Sequence, residues 1–272
     1  MPTLYVVATP IGNLSDISER AQKVLREVDF IAAEDTRNSL KLLSCYGIQK
    51  ELVSYHEHNH KLRGEQIIGR LLAGEDCALV TDAGMPAISD PGEDLVRLAH
   101  QNGITVSSVP GPSAVITALA ISGMPSGRFS FEGFLSTAKQ SRKEHLNSIK
   151  NASQTLIFYE APHKLITTLK DMLEVLGDRN IALCKELTKL HDTVIHTTFE
   201  GALETFAQTP PKGEYVMIIE GAKIEKQAEL TLEQAIAIAR DLVKKGESVS
   251  NAAKLAAKES GFKKSDIYKA LV

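Results

Sequence analysis

Cysteine is scarce in this chain of 272 residues, and no run is apolar enough to span a bilayer. The three cysteines, Cys45, Cys77 and Cys184, lie far apart in apolar contexts, which excludes a disulfide framework or a zinc site and predicts burial. The start, Met1-Pro2-Thr3-Leu4-Tyr5-Val6-Val7, enters a strand directly, with no basic region and no small-residue cleavage site. A cytoplasmic protein with no membrane role is the expectation. No loop carries the dinucleotide fingerprint GxGxxG or the phosphate-binding GxxxxGK[ST]. That argues against NAD, FAD and ATP together, and for a ligand without a pyrophosphate.

What is present is an ordinary globular composition, 43% hydrophobic and 24% charged, in a chain long enough for two domains. The net charge of -3 hides an asymmetry. Between Lys244 and Val272, seven lysines face only Glu247, Glu259 and Asp266. Such a segment suits a polyanion, or is simply a solvated helix face. Upstream, apolar runs at Leu4 to Thr9, Phe30 to Ala33, Leu52 to Tyr55, Cys77 to Thr81 and Thr105 to Val109 alternate with helical patterns. One helix is predicted from about Asp16, with Asp16 and Glu19 as a capping box. These βα units imply a parallel sheet covered on both faces over residues 1–122. Gly and Pro in Ser122-Gly-Met-Pro-Ser-Gly127 mark a boundary. Residues 123–222 then show strands at Phe129 to Leu135, Thr155 to Tyr159, Ile181 to Lys185, Thr193 to Phe199 and Tyr215 to Ile219, with one helix near His163 to Leu176, an α+β pattern. Residues 223–272 read as a basic extension with helices at Thr231 to Lys245, Ser250 to Ser260 and Ser265 to Leu271.

The most telling segment is Leu79-Val-Thr-Asp-Ala-Gly-Met-Pro-Ala-Ile-Ser-Asp-Pro-Gly92, where a buried strand runs into small and backbone-special residues. Gly84 would admit a ligand close to the backbone, Asp90 reads as an N-cap and Pro91 as a first-turn residue. Two more loops, Pro10-Ile-Gly-Asn-Leu14 and Pro110-Gly-Pro-Ser-Ala114, follow strands and should converge on the same sheet edge. Ala33-Glu-Asp-Thr-Arg37 puts Glu34 and Asp35 beside Arg37, which could take a proton from a hydroxyl, or cap a helix and form an ion pair. In Tyr55-His-Glu-His-Asn-His60 the alternating histidines lack a thiolate or carboxylate to close a metal set, so polar substrate contacts are preferred and no metal is expected. In the second domain, Tyr159-Glu160 and Lys185-Glu-Leu-Thr-Lys189 follow strands and could close a ligand from the other side, or serve as core and ion-pair groups.

Together, Thr9-Pro-Ile-Gly-Asn-Leu14, Ala33-Glu-Asp-Thr-Arg37, Ser54-Tyr-His-Glu-His-Asn59, Asp82-Ala-Gly-Met-Pro86, Ile88-Ser-Asp-Pro-Gly92, Val109-Pro-Gly-Pro-Ser-Ala114, Phe131-Glu-Gly-Phe-Leu135, Glu186-Leu-Thr-Lys189 and Lys212-Gly-Glu214 closely resemble the ribosomal RNA branch of the tetrapyrrole methylase family. Asn13 in place of an acidic residue, and Asp82-Ala83-Gly84 in place of Gly-Asp-Pro, separate the chain from the porphyrin and corrin methylases. Met85 and Lys164 depart from the threonine and arginine common within the RNA branch. The resemblance implies two α/β domains with a cofactor cleft between them and a small C-terminal helical extension. It also implies S-adenosylmethionine as cofactor and methylation of a cytidine ribose 2'-hydroxyl in the decoding region of 16S rRNA, within the small ribosomal subunit. A homodimer is implied as well. Carried over by motif, the cofactor contacts are Pro10, Asp82, Ala83, Gly84, Ala87, Ile88, Ser113, Ala114, Tyr159, Glu160 and Leu187. Glu34, Asp35 or His56 would serve as base, with Arg37 and Lys189 holding phosphates. The competing readings are a small-molecule methylase, which would have no use for the lysine-rich tail, and a non-catalytic ribosome assembly factor.

Overall fold

The computed structural model describes residues 2–223 and 230–272. Met1, at the head of the predicted first strand, and residues 224–229 of the predicted extension lie outside the described residues. The chain forms two compact units, Met1–Ala222 and Lys223–Val272.

The first unit is α/β and contains two five-stranded sheets. In the first sheet, β1 (Thr3–Val7), β2 (Phe30–Ala33), β3 (Glu51–Ser54), β4 (Cys77–Val80) and β5 (Thr105–Val109) run parallel in the order β3-β2-β4-β1-β5. Residues alternate between its two covered faces, as the continuous apolar runs require. Ile31 and Ala33 pack with α1 (Glu19–Glu27) and α2 (Thr36–Cys45). Phe30 and Ala32 pack with α3 (His60–Leu72) and α4 (Glu93–Gln101). The crossovers from β1 to β2 and from β4 to β5 therefore leave on opposite faces. This makes the adjacent β1 and β4 a topological switch point, with a crevice at their carboxyl ends.

After α5 (Ala114–Ile121), the second sheet comprises β6 (Phe129–Phe134), β7 (Thr155–Glu160), β8 (Asn180–Lys185), β9 (Thr193–Thr198) and β10 (Tyr215–Ile219), in the order β6-β7-β10-β8-β9. Only β6 and β7 are parallel, and the other three pairs are antiparallel. One face buries Leu156, Phe158, Leu183 and Met217 against α6 (Lys139–Ser148), α7 (Pro162–Leu176) and α8 (Phe199–Gln208). The other face buries Ile157, Ala182, Cys184 and Ile218 against Val115, Ala118 and Leu119 of α5. The helix that ends the first sheet's pattern thus cores the second, locking the two sheets into one body.

Several local expectations are corrected. Leu14–Asp16 is a short 3-10 turn capped by Asn13, and α1 starts later, with the Ser18 hydroxyl accepting from the Ala21 amide. Asp16 and Glu19 therefore form no capping box. Asp90 and Pro91 precede α4, whose N-cap is Gly92 at φ 148, because a Cβ at Gly92 would meet Leu79 Cδ2 at 2.9 Å. Asp90 is left free of the helix. Helix α6 has no apolar stripe to betray it, burying only Arg142 and Leu146. The strand expected through Phe199 stops at Thr198, whose hydroxyl accepts from Gly201 N and starts α8. Cys77 and Cys184 are buried as expected, whereas Cys45 is exposed at the end of α2.

The second unit holds α9 (Leu232–Lys244), α10 (Val249–Ser260) and α11 (Lys264–Lys269) around Ala235, Ala239, Ala253, Ala256 and Ile267. A capping box between Thr231 and Gln234 starts α9, and Gly261 ends α10 in the left-handed conformation. Among the described residues, no helix is long and apolar enough to cross a membrane.

Candidate active site in the cleft between the two sheets

The three loops of the first sheet do converge. Thr9 and Gly84 exchange backbone hydrogen bonds of 2.8 and 3.0 Å, and the buried Thr9 hydroxyl donates to Thr81 O at 3.2 Å. Gly84, at φ 84, faces Ile11 of one loop and Pro112 of the other, with room for a Cβ no nearer than 3.4 Å. Glu34, at the end of β2, accepts from the Thr81 hydroxyl at 2.6 Å, and Asp82 accepts from Asn38 Nδ2 at 2.9 Å. Asp90 completes this wall beside Thr81, Glu34 and Asp82. Burial first, then the charge of Glu34, pushes its carboxyl up to about 6.

The second wall is built from the ends of β7, β8 and β10. Tyr159 is held edge-on to Phe131 at 4.9 Å and tilted against the exposed Phe134 at 5.3 Å. Burial, then Asp90 across the cleft, lifts its phenol to about 12. Glu160 is only 3% exposed and accepts from Ala161 N at 2.9 Å and the Thr168 hydroxyl at 2.6 Å. Lys189 pairs with Glu186 at 3.1 Å and Glu214 at 2.8 Å, and Glu186 also accepts from the Glu214 amide at 2.9 Å. These bonds hold Glu186 below the usual carboxylate range and Lys189 above the usual amine range. The walls meet at Gly12, where a Cβ would lie 2.6 Å from Lys189 Cγ and 2.9 Å from Leu187 O.

Between the walls lies a cavity of about 370 Å³, within the range of small-molecule sites. Among the described residues, six carboxylates line it (Glu34, Asp82, Asp90, Glu160, Glu186 and Glu214) against the single cation Lys189, which is already paired twice. Ile11, Ala83, Ile88, Ala114, Leu187 and Val216 add an apolar surface. The site therefore favours a ligand with an apolar part and positive charge. Backbone strain concentrates here too. Ala87, Ser89, Glu186 and Thr188, the non-glycine residues with positive φ among the described residues, all lie in cleft loops. No group of three or more His, Cys, Asp or Glu is placed to hold a metal ion among the described residues.

Of the residues singled out from sequence, Glu34, Asp82, Ala83, Gly84, Ile88, Ser113, Ala114, Tyr159, Glu160 and Leu187 line the cavity. Pro10 and Ala87 are not among the lining residues, though each is next in sequence to one, Ile11 and Ile88. Asp35 and Arg37 are apart from it. Asp35 caps α2 and pairs with Arg37 at 2.7 Å, which holds its carboxyl down at about 2. His56 also stays outside the lining, its Nε2 3.2 Å from Asn59 Nδ2 and its buried Nδ1 without a partner. Sequence reasoning gave no role in the site to the lining residues Phe134, Glu214 and Tyr215, although the first two lie in its motifs, and it misread Asp90. In sequence Asp90 stands between Ser89 and Pro91, which reads as a helix cap and hides its place on the cavity wall.

The sequence profile of the Tetrapyrrole (Corrin/Porphyrin) Methylases matches residues 3–203. A protein of Xylella fastidiosa named ribosomal RNA small subunit methyltransferase I is 45% identical over 98% of this chain and 97% of its own length. A protein of the same name from Halalkalibacterium halodurans is 50% identical over 80% of this chain and 76% of its own. Among solved structures, a diphthine synthase superposes with a TM-score of 0.62 at 14% identity, covering 81% of this chain and 90% of that one. A uroporphyrin-III-C-methyltransferase from Thermus thermophilus gives 0.56 at 17%, covering 81% and 94%. The chain belongs to the tetrapyrrole methylase family, in the same group as the proteins named ribosomal RNA small subunit methyltransferase I.

Proposed function

We propose that this protein is a methyltransferase that uses S-adenosylmethionine to methylate the 2'-hydroxyl of a cytidine ribose in the decoding region of 16S rRNA, within the small ribosomal subunit. The observation that carries the reading is an acidic, partly apolar cleft in a chain that matches the Xylella fastidiosa methyltransferase over nearly its full length.

The cleft residues fit that cofactor. Its sulfonium and ammonium charges suit a cavity with six carboxylates and one neutralised lysine, and its adenine suits the apolar surface of Ile11, Ala83, Ile88, Ala114, Leu187 and Val216. We assign its binding to Pro10, Asp82, Ala83, Gly84, Ala87, Ile88, Ser113, Ala114, Tyr159, Glu160 and Leu187. When bound, the cofactor supplies an electrophilic methyl group that needs no metal. The chain must then orient the attacking hydroxyl, exclude water and receive its proton. Ile88, 45% exposed, and Phe134, 55% exposed, offer apolar surface at the cleft for an unstacked nucleotide.

An acidic cleft repels phosphates, so affinity for the RNA backbone must come from elsewhere. The second unit supplies it in this reading. Lys244, Lys245, Lys254, Lys258, Lys263, Lys264 and Lys269 form a concentration of cations that the first unit's cleft lacks. Arg37 is a poor substitute because Asp35 already binds it. We also propose a cytoplasmic homodimer, supported by α5, whose Ile116 and Ile121 remain exposed on an otherwise apolar helix.

Labelled cofactor incubated with small ribosomal subunits, free 16S rRNA or porphyrinogens tests this function. Label recovered as 2'-O-methylcytidine from the subunit sample is expected, and label confined to porphyrinogen would overturn the RNA reading. Removal of residues 230–272 should weaken RNA binding while cofactor binding persists. Unchanged RNA affinity at low and moderate salt would contradict the role of the second unit.

A further inference from the structure

Transfer from a hydroxyl needs a proton acceptor, and the groups first singled out are poorly suited to that role. Asp35 is bound to Arg37 outside the cavity. His56 does not line it either. Glu160 lines it, but both of its carboxylate oxygens are engaged, one by Ala161 N and one by the Thr168 hydroxyl. Glu34 is tied by the Thr81 hydroxyl at 2.6 Å.

Asp90 is different. It sits on the cavity wall, outside the helix that follows, and its neighbours across and along the cleft are Glu34, Asp82, Thr81 and Tyr159. The other charged groups lining the cavity are Glu160, Glu186, Glu214 and Lys189, and Lys189 is paired with Glu186 and Glu214. Among the described residues, no unpaired cation lines the cavity beside Asp90. The other five lining carboxylates are each engaged, Glu34 by the Thr81 hydroxyl, Asp82 by Asn38 Nδ2, Glu160 by Ala161 N and the Thr168 hydroxyl, and Glu186 and Glu214 by Lys189, and the hydroxyl proton of Thr81 beside Asp90 is the one given to Glu34.

We infer that Asp90 takes the proton of the attacking hydroxyl. The inference rests on the methyl-transfer reading above. In the step, the substrate O–H bond breaks and its proton goes to Asp90. The oxygen forms a bond to the methyl carbon of S-adenosylmethionine. The carbon–sulfur bond breaks with its electron pair passing to sulfur, which leaves as a neutral thioether. Burial and Glu34 raise Asp90 to about 6, so it is ionised at neutral pH yet binds a proton more readily than an ordinary carboxylate.

The test uses the full chain, small ribosomal subunits and three variants: Asp90→Asn, Asp90→Glu and Glu34→Gln. Calorimetric titration with S-adenosylhomocysteine reports the cleft independently of turnover. Asp90→Asn should bind it within about twofold of wild type while kcat falls about a hundredfold or more. Asp90→Glu should recover part of kcat, with the KM for subunits little changed. A carbon-13 carboxyl titration should place Asp90 near 6 in the wild type and lower in Glu34→Gln, since a neighbouring negative charge has been removed, with the acid limb of kcat/KM moving the same way. An Asp90→Asn enzyme retaining more than about a tenth of kcat, or an Asp90 that titrates with ordinary carboxylates, would overturn the assignment. Wild-type protein that binds S-adenosylhomocysteine but labels no RNA would instead remove the methyl-transfer reading beneath it.

Discussion

The two walls of the cleft are built on opposite electrostatic terms. On the second-sheet side nearly every charge is answered: Lys189 by Glu186 and Glu214, Glu160 by an amide and a hydroxyl, and, behind the sheet, Arg142 by Asp171 at 2.6 Å. The unpartnered Thr188 hydroxyl is the exception there. On the first-sheet side Glu34, Asp82 and Asp90 crowd together with no salt bridge among the described residues, the Arg37 near Asp82 being bound to Asp35, and one of them is pushed well above its ordinary protonation range. A wall with its charges paired is a frame. A wall of unpaired acids is where proton transfer has somewhere to go. The contrast follows from topology: parallel strands deliver all their loops to one edge, whereas antiparallel strands leave room for ion pairs between neighbouring strand ends.

The largest effect should come from breaking the frame. Asp171→Ala would strand a guanidinium that is 8% exposed, although Ser136 O and Thr137 O would still accept from it at 2.9 and 3.0 Å. A loss of about 3–5 kcal/mol in chemical denaturation is expected, and a loss below about 1 kcal/mol would show that the frame is not held as described. Next comes the junction of the walls. Gly12→Ala would drive a Cβ to 2.9 Å from the Leu187 carbonyl, against backbone that cannot swing aside. About 1–3 kcal/mol of destabilisation and weaker cofactor binding should follow, and an unaffected protein would mean the junction is loose.

A smaller effect, of the opposite sign, should mark the first wall. Asp90 has a folded pKa above its unfolded value, so the folded state binds the extra proton and loses stability as pH rises from about 4 to 6. Asp90→Asn removes that penalty. Thermal melts should show a gain of about 1 kcal/mol above pH 7, after allowing for partial exposure, that vanishes toward pH 4. A loss at neutral pH would contradict an acid held against its preference. Smallest is the tail: Lys264→Ala should lower the salt slope of RNA binding by about one. No change would remove Lys264 from the phosphate contacts.

Much of the fold was legible in the sequence because its strands are continuous apolar runs and its first-domain loops are short. Phe30 to Ala33 and Tyr215 to Ile219 were placed to the residue, since a strand covered on both faces has no polar positions to blur it. Helix α6 was not legible, because Arg142 replaces an apolar contact on its inner face by reaching Asp171 twenty-nine residues away. Within the site, ten of the residues assigned by motif to catalysis or cofactor binding line the cavity. Asp90 was misread for a local reason. Asp before Pro looks like a helix cap, and only the close packing of Gly92 on Leu79 shifts the helix start beyond it. The ion pairs of Asp35 and Lys189 could not be told from free catalytic groups, because pairing depends on side-chain reach, not on order along the chain.

Calorimetric binding of S-adenosylmethionine to the wild type and to Asp82→Ala tests the central claim most directly. Asp82 lines the cavity on the unpaired wall, where it accepts from Asn38 Nδ2 at 2.9 Å. One site per chain is expected in the wild type, with affinity reduced about five- to twentyfold by Asp82→Ala, the loss of a single hydrogen bond to a charged group. No binding to the wild type, or the same dissociation constant for both proteins, would contradict the account.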